Sequence, residues 1–337
     1  MNTIKTTNKS MKKSILIIIL AITCNGSIFS QKVDYSVVSV PEEQGINFTK
    51  VTTSGDYVAM PEVKRSSNGI NWFTNRIIDL SPDGTTIGYI SVRQNATNIF
   101  LKNIEKQGSS IQRTNRTGVI DFSYSPDGKN IVFSEARGKT NQIFTTDANS
   151  GYVCRQITSS DRDYTPIYSN DLKQIFFCRA EQRGLSIWSY DLDNKFLSSY
   201  FPGMNPCPVK DEDAIIIARL NAEGRGEIWK MNYATGIEEC LVSDPNHSFT
   251  SPTLSPDGQW ILFVGDGHIN MPNGTTYYNT DLFVSKIDGT QLPKLTSHAA
   301  DDISPAWSRD GKYIYFVSQR GDSEGIANIW RMSFNVK

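Results

Sequence analysis

Histidine, cysteine, positive charge and long apolar runs are all in short supply in this chain, and each shortage removes a class of function. The 337 residues include three histidines and five cysteines. His247, His268 and His298 stand far apart, and Cys154, Cys178, Cys207 and Cys240 show no metal-ligand spacing, so buried free thiols are their expected state, with a disulfide as the alternative. Against 35 acidic residues there are 34 basic ones. The basic stripe of a nucleic-acid binder is lacking, and nucleic acid is not an expected partner. The one long apolar run, 14–23, has about half of the roughly 20 residues that a spanning helix needs.

That run reads instead as part of a secretory signal peptide. Lys5, Lys9, Lys12 and Lys13 precede it, and small and polar residues follow as far as Ser30. Cleavage is expected between Ser30 and Gln31, although Ile28 is larger than the residue usually found three positions before the cut. Cys24 offers lipidation as an alternative, but Thr23 stands where a lipid-attachment box has Gly, Ala or Ser. Loss of residues 1–30 removes four lysines and no acid, leaving 30 basic against 35 acidic residues and a net charge of −5. The expectation is a periplasmic or secreted monomer with no transmembrane segment. Residues 31–45 form an N-terminal linker ahead of one domain, 46–337.

Internal repetition defines that domain. Ser-Pro-Asp-Gly occurs at 81–84, 125–128 and 255–258, with weaker copies at 169–172 and 308–311 and an eroded one at 209–212. Successive copies are 44, 44, 40, 46 and 53 residues apart, the period of a four-stranded propeller blade. Each tetrapeptide is a turn with a mechanism. Pro presets the backbone, Asp satisfies neighbouring amides, and Gly supplies a positive φ.

A short apolar strand follows each turn, at 86–90, 130–133, 174–177, 214–217, 260–264 and 313–317. Beyond a variable loop comes an alternating strand starting at Asn98, Gln142, Ser186, Glu227, Asp281 and Asn328. Each of these carries an aliphatic residue followed by Phe or Trp, a pair suited to packing between blades. Inner copies end on an outer strand such as 155–158 or 293–296, yet the last copy ends without one. Thr49-Lys50-Val51-Thr52 supplies the missing strand from the other end of the domain. The prediction is an all-β, six-bladed propeller of four-stranded antiparallel blades, closed by an N-terminal strand that pairs with the last blade.

These blades resemble the TolB-type, WD40-like (PD40) repeats, whose pattern P-x-W-S-P-D-G is best matched by Pro305-Ala306-Trp307-Ser308-Arg309-Asp310-Gly311. The resemblance covers residues 46–337. TolB proteins carry a further α/β domain ahead of the propeller, for which this chain has no counterpart. The resemblance implies a non-catalytic scaffold of the cell envelope that receives a protein or peptide at the mouth of its channel, with no cofactor. It does not name the partner, because one fold hosts many functions.

In this topology the Ser-Pro-Asp-Gly turns lie on one face and the loops between second and third strands on the other. The channel positions four before each turn are Ile77, Asp121, Thr165, Asn205, Ser251 and Ser304. Two positions further out stand Asn75, Val119, Asp163, Gly203, Phe249 and Asp302. The neighbouring loops supply Arg93, Arg137, Arg179, Arg183, Arg225 and Arg320. Arginine's planar fork grips carboxylates. The candidate partner site therefore comprises Arg137, Arg183, Arg225 and Arg320 with Asp121, Asp163 and Asp302. Ion pairing between blades is the competing role for these charges. The long loop 265–280 adds His268, Tyr277 and Tyr278, with Asn270 and Asn273 beside them; tyrosines on a long loop offer contact area at low entropic cost.

Three enzymatic readings compete with the scaffold. Gly321-Asp322-Ser323-Glu324-Gly325 matches a nucleophile elbow but lies in a predicted hairpin loop rather than a strand-turn-helix. Propeller lyases acting on uronic oligosaccharides share the repeat and hold a metal on clustered histidines, whereas this chain has three dispersed ones. Propeller-gated peptidases need a hydrolase domain, and only seven residues follow Trp330. A glycan is an alternative ligand, with Trp72, Trp188, Trp229 and Tyr277 as stacking platforms. Among these, Trp72 alone falls outside the repeat's packing positions.

Overall fold

The Ser-Pro-Asp-Gly turns close as their chemistry requires. Ser Oγ donates to Asp Oδ1 at 2.6 Å in Ser81–Asp83 and Ser125–Asp127, 2.5 Å in Ser255–Asp257 and 2.7 Å in Ser308–Asp310. Their glycines sit at φ values between 70° and 74°. Blade three keeps the Ser169–Asp171 bond at 2.7 Å but places Leu172 at φ 62°. The eroded fourth copy moves the positive φ to Asp211. These details come from a computed structural model that describes residues 35–61, 76–106, 108–151, 153–159, 162–270, 274, 276–291 and 293–335. The signal peptide, Cys24, Trp72, Asn75 and Asn273 lie outside the described residues.

Six antiparallel sheets form the blades. Strand β1 (Phe48–Lys50) belongs to the last. Blade one is β2 (Ile78–Leu80), β3 (Thr86–Arg93), β4 (Ala96–Asn103) and β5 (Ile111–Gln112). Blade two is β6 (Val119–Tyr124), β7 (Asn130–Arg137), β8 (Thr140–Asp147) and β9 (Cys154–Gln156). Blade three is β10 (Asp163–Tyr168), β11 (Gln174–Glu181), β12 (Gly184–Asp191) and β13 (Leu197–Pro202). Blade four is β14 (Met204–Pro208), β15 (Ala214–Leu220), β16 (Gly226–Asn232) and β17 (Glu238–Val242). Blade five has β18 (Phe249–Leu254), β19 (Trp260–Asn270) and β20 (Thr276–Lys286). Its outer position is held by single bonds, Leu295 N to Leu282 O at 2.7 Å and Leu282 N to Thr296 Oγ1 at 2.9 Å. Blade six joins β21 (Asp302–Trp307), β22 (Tyr313–Ser318) and β23 (Asn328–Ser333) to β1.

Ring closure follows the predicted strand exchange. Phe48, Thr49 and Lys50 pair with Met332, Arg331 and Trp330, and Val51 N donates to Ile329 O at 2.8 Å. Thr52 adds a side-chain clasp: its Oγ1 accepts from Ile329 N at 2.8 Å and donates to Asn328 Oδ1 at 3.2 Å. The core is the stack of second and third strands. Ile99, Ile143, Ile187, Ile228, Leu282 and Ile329 from the aliphatic-aromatic pairs are fully enclosed.

Residues expected to be linker extend this body. Tyr35–Lys337 is one compact unit, and 35–43 lie against blade six. Gly321 N and Asp322 N donate to Val37 O and Tyr35 O at 2.7 and 3.1 Å. No helix among the described residues is long and apolar enough to cross a membrane.

Candidate partner-binding face

Two recurring devices shape the loop face. The first is a bulge in the innermost strand. The ladder slips between Val119 and Asp121, Tyr164 and Ile167, Met204 and Cys207, Thr250 and Thr253, and Ile303 and Ala306. In four blades the bulged residue is left-handed, with φ of 47° at Thr165, 51° at Asn205, 53° at Ser251 and 52° at Ser304. A proline follows each of these four. It disfavours the right-handed helical region in the residue before it and brings no amide for the broken ladder to satisfy. The bulges join blades. Ser304 Oγ accepts from Ile77 N at 2.8 Å, Asp121 Oδ2 from Thr165 N at 3.0 Å, and Asn205 Oδ1 from Thr250 Oγ1 at 3.0 Å.

The second device is an arginine laid over the aromatic of the third strand. Arg93 lies 4.2 Å from the Phe100 ring centre, Arg137 4.8 Å from Phe144, Arg179 4.5 Å from Trp188 and Arg219 5.1 Å from Trp229. In blade six Arg320 sits between Phe48 and Phe316 at 4.3 and 5.1 Å. Each such contact contributes about 0.5–1 kcal/mol where exposed and more where desolvated. Repetition of arginine around the ring is thus partly a packing device, with Trp188 and Trp229 as its platforms.

The residues expected at the site divide by burial. Arg320 is fully enclosed; its Nη2 meets Asp302 Oδ2 at 2.5 Å and Glu43 Oε1 at 3.1 Å, and its Nη1 reaches Glu43 Oε2 and Val38 O. Asp163 is enclosed and held bidentately by Arg179 at 2.7 and 3.0 Å. Asp121 is enclosed, accepting from Ser134 Oγ at 2.6 Å, and burial raises its pKa to about 6. Arg320, Asp302, Asp163 and Asp121 are thus structural: the first three are ion-paired within blades six and three, and Asp121 accepts from Thr165 N of the next blade. Glu43, which clamps the N-terminal strap, carries no repeat signal in the sequence and was not among the expected residues.

The other residues reach the surface. Arg137 is 45 % exposed at its side chain, 2.9 Å from Glu135, which also takes Arg116 at 2.6 Å. Arg183 is exposed in the β11–β12 turn. Arg225 is half-buried in the β15–β16 turn, 3.9 Å from Glu223. His268 pairs across the β19–β20 hairpin with Tyr278, which is 61 % exposed. Tyr277 meets Tyr35 hydroxyl to hydroxyl at 2.6 Å. The turns and hairpin that carry Arg137, Arg183, Arg225 and His268/Tyr278 join second to third strands in blades two, three, four and five. They share one face.

The enzymatic constellations do not assemble. His247 stacks against Phe249 and lies 3.3 Å from Asp244, His268 is exposed, and His298 is enclosed with its Nδ1 accepting from Ala300 N at 2.9 Å. Among the described residues no group of three metal-ligating side chains converges. In 321–325, Asp322 Oδ1 accepts from Glu324 N and Ile326 N at 2.9 and 3.2 Å, making a loop turn between β22 and β23.

No family model matches the chain. An uncharacterized protein of Agrobacterium fabrum is 21 % identical over 228 residues, 64 % of this chain and 76 % of that protein. The Tol-Pal system protein TolB of Anaeromyxobacter dehalogenans is 33 % identical over 136 residues, 38 % of this chain and 28 % of its own length. Among solved structures, a putative TolB from Agrobacterium tumefaciens superposes with a TM-score of 0.57 at 18 % identity, covering 86 % of this chain and 98 % of that one. An oligogalacturonate lyase from Vibrio parahaemolyticus gives 0.57 at 12 % identity, covering 90 % and 96 %. The fold is that of the TolB-like propellers.

Proposed function

We propose that this TolB-like propeller is a non-catalytic scaffold of the cell envelope that engages an envelope protein or peptide on its loop face. The reading is carried by one observation. Enclosed charges are paired within the ring, while Arg137, Arg183, Arg225, His268 and Tyr278 rise on the connections of four consecutive blades of the same face. Surface arginine and tyrosine are the types enriched where partners bind. The likeness to TolB supports the same class, and export by the N-terminal segment is part of the proposal.

A sugar-acid lyase is the second reading, favoured by the fold shared with oligogalacturonate lyase. It lacks a convergent set of ligands among the described histidines and acids. The test is a cross-linked pull-down from native envelope extract with residues 31–337 and with an Arg183→Glu, Tyr278→Ala variant. One envelope protein retained by the natural chain and lost by the variant is the expected result. Retention of nothing proteinaceous, with heat on titration of manganese, would move the lyase ahead.

A further inference from the structure

We propose that the loop face is divided into a basic half and an acidic half, and that the partner it receives carries an acidic segment for blades two and three and a basic segment for blades five and six. The inference rests on the loop-face reading and adds to it the chemistry of the partner.

Among the described residues, the connections of blades two and three bring five basic side chains to this face, Arg116, Arg137, Lys139, Arg162 and Arg183, against two acidic ones, Glu135 and Glu181. Arg179 and Asp163 cancel inside blade three, and Asp121 is enclosed. The basic side chains are held in place. Arg116 and Arg137 share Glu135 at 2.6 and 2.9 Å, and both lie 4.8 Å from the centre of the Phe144 ring. Lys139 and Arg183 project from tight turns closed by the strand pairs Arg137–Thr140 and Glu181–Gly184.

Across the ring the sign reverses. The connections of blades five and six carry Asp244, Asp266, Asp301, Asp322 and Glu324, and the strap adds Glu42. The cations on that side are already paired: Lys294 meets Asp281 at 2.8 Å, and Arg320 meets both Glu43 and Asp302. Amides fix two of the acids, Asp266 through Ser248 N at 2.7 Å and Asp322 through Glu324 N and Ile326 N. Blade four, between the halves, sets Arg225 beside Glu223.

Distance keeps the halves separate. In a ring of six, blade two stands opposite blade five and blade three opposite blade six. Packed sheets lie about 10 Å apart, which puts opposite blades about 20 Å apart, whereas salt at physiological strength screens charge beyond about 8 Å. Neither half neutralises the other. A uniformly acidic or uniformly basic partner meets repulsion on one side, so the arrangement sets both the sign and the orientation of what docks.

Fluorescence anisotropy with the purified full chain tests this with a bipolar peptide probe, six glutamates and six lysines joined by eight prolines that hold the blocks about 25 Å apart. Each block alone and the same probe with two prolines are the controls. The long probe binds at least tenfold more tightly than either block, and the short one loses that gain. Lys139→Gln with Arg183→Gln weakens the long probe and the glutamate block but not the lysine block. Glu42→Gln with Glu324→Gln weakens the long probe and the lysine block but not the glutamate block. All four of these residues are exposed, so the substitutions leave the packing untouched. Equal affinity for long and short probes, no binding of either block, or the same response of both blocks to one pair of substitutions would overturn the inference. Self-association of the chain that high salt dissolves would also overturn it, by assigning the two halves to a second copy. No envelope extract is used, so failure here leaves partner binding on the loop face standing, and a pull-down that retains nothing removes that reading whatever the probe does.

Discussion

Arg320 and Arg183 are the same residue type in the same connection, between second and third strands, of two copies of the repeat, blades six and three, and the structure gives them opposite surroundings. Arg320 lies beneath the N-terminal strap, enclosed by Phe48 and Phe316 and bonded to Asp302 and Glu43. Arg183 lies in a turn open to solvent. A charge taken out of water must be matched inside the protein, and a charge left in water costs nothing to present. Burial, which differs from one copy of the repeat to the next, thus separates the arginines that hold the fold from those that the proposed scaffold can offer to a partner.

The sharpest break of that comparison is Arg320→Met. It leaves Glu43 and Asp302 enclosed without their cation, and should destabilise the protein by about 3–5 kcal/mol, read as a fall in the urea midpoint. Next comes Thr52→Val, which removes both side-chain bonds of the closing strand. The buried Ile329 amide then loses its acceptor, a loss of about 1–3 kcal/mol seen by the same measurement. An unchanged midpoint in either variant would deny the strap or the clasp its structural role.

A smaller effect concerns pH. Burial raises the pKa of Asp281 to about 7 from 3.8, against the opposing pull of Lys294 at 2.8 Å. Gly267 makes room for it, since a Cβ there would collide with Asp281 Oδ2. Between those two values the folded chain holds a proton at Asp281 that the unfolded chain has lost. The contribution of this group is therefore full below about pH 4, falls as pH rises to about 7, and is level beyond. His298, whose pKa burial and Arg320 lower, works in the opposite direction, so the informative quantity is a difference. Stability of the natural chain relative to Asp281→Asn should decline from pH 4 to pH 7 and then stay flat. The smallest effect is that of Arg183→Gln, expected to change stability by no more than about 0.5 kcal/mol.

The parts of this molecule that the sequence made legible are those with local causes. Ser81–Gly84 and its copies are complete turns within four residues, and Ile99-Phe100 and its copies are strands whose pattern needs no distant partner. Even the exchange of the closing strand showed, because Thr49–Thr52 stood at one end and a gap at the other. The sorting of charges did not show. Glu43 finds Arg320 across 277 residues, and the left-handed bulge at Ser304 acquires its meaning from the amides of Ile77 and Ile78 in blade one. Arginine recurring beside Phe100, Phe144, Trp188 and Trp229 was visible as composition, but its stacking depends on the pairing of second and third strands. Burial is a property of the closed ring, and no single repeat contains it.

The most direct test of the account is photocross-linking in intact envelopes, with the cross-linker placed at residue 183 or 278 on the loop face and at residue 129 or 312 on the turn face. Lys129 and Lys312 are 78 % and 75 % exposed at their side chains, so both faces are equally accessible to a partner. A partner seated on the loop face gives one discrete adduct from positions 183 and 278 and none from 129 and 312. The same adduct from the turn face, or from the turn face alone, would contradict it.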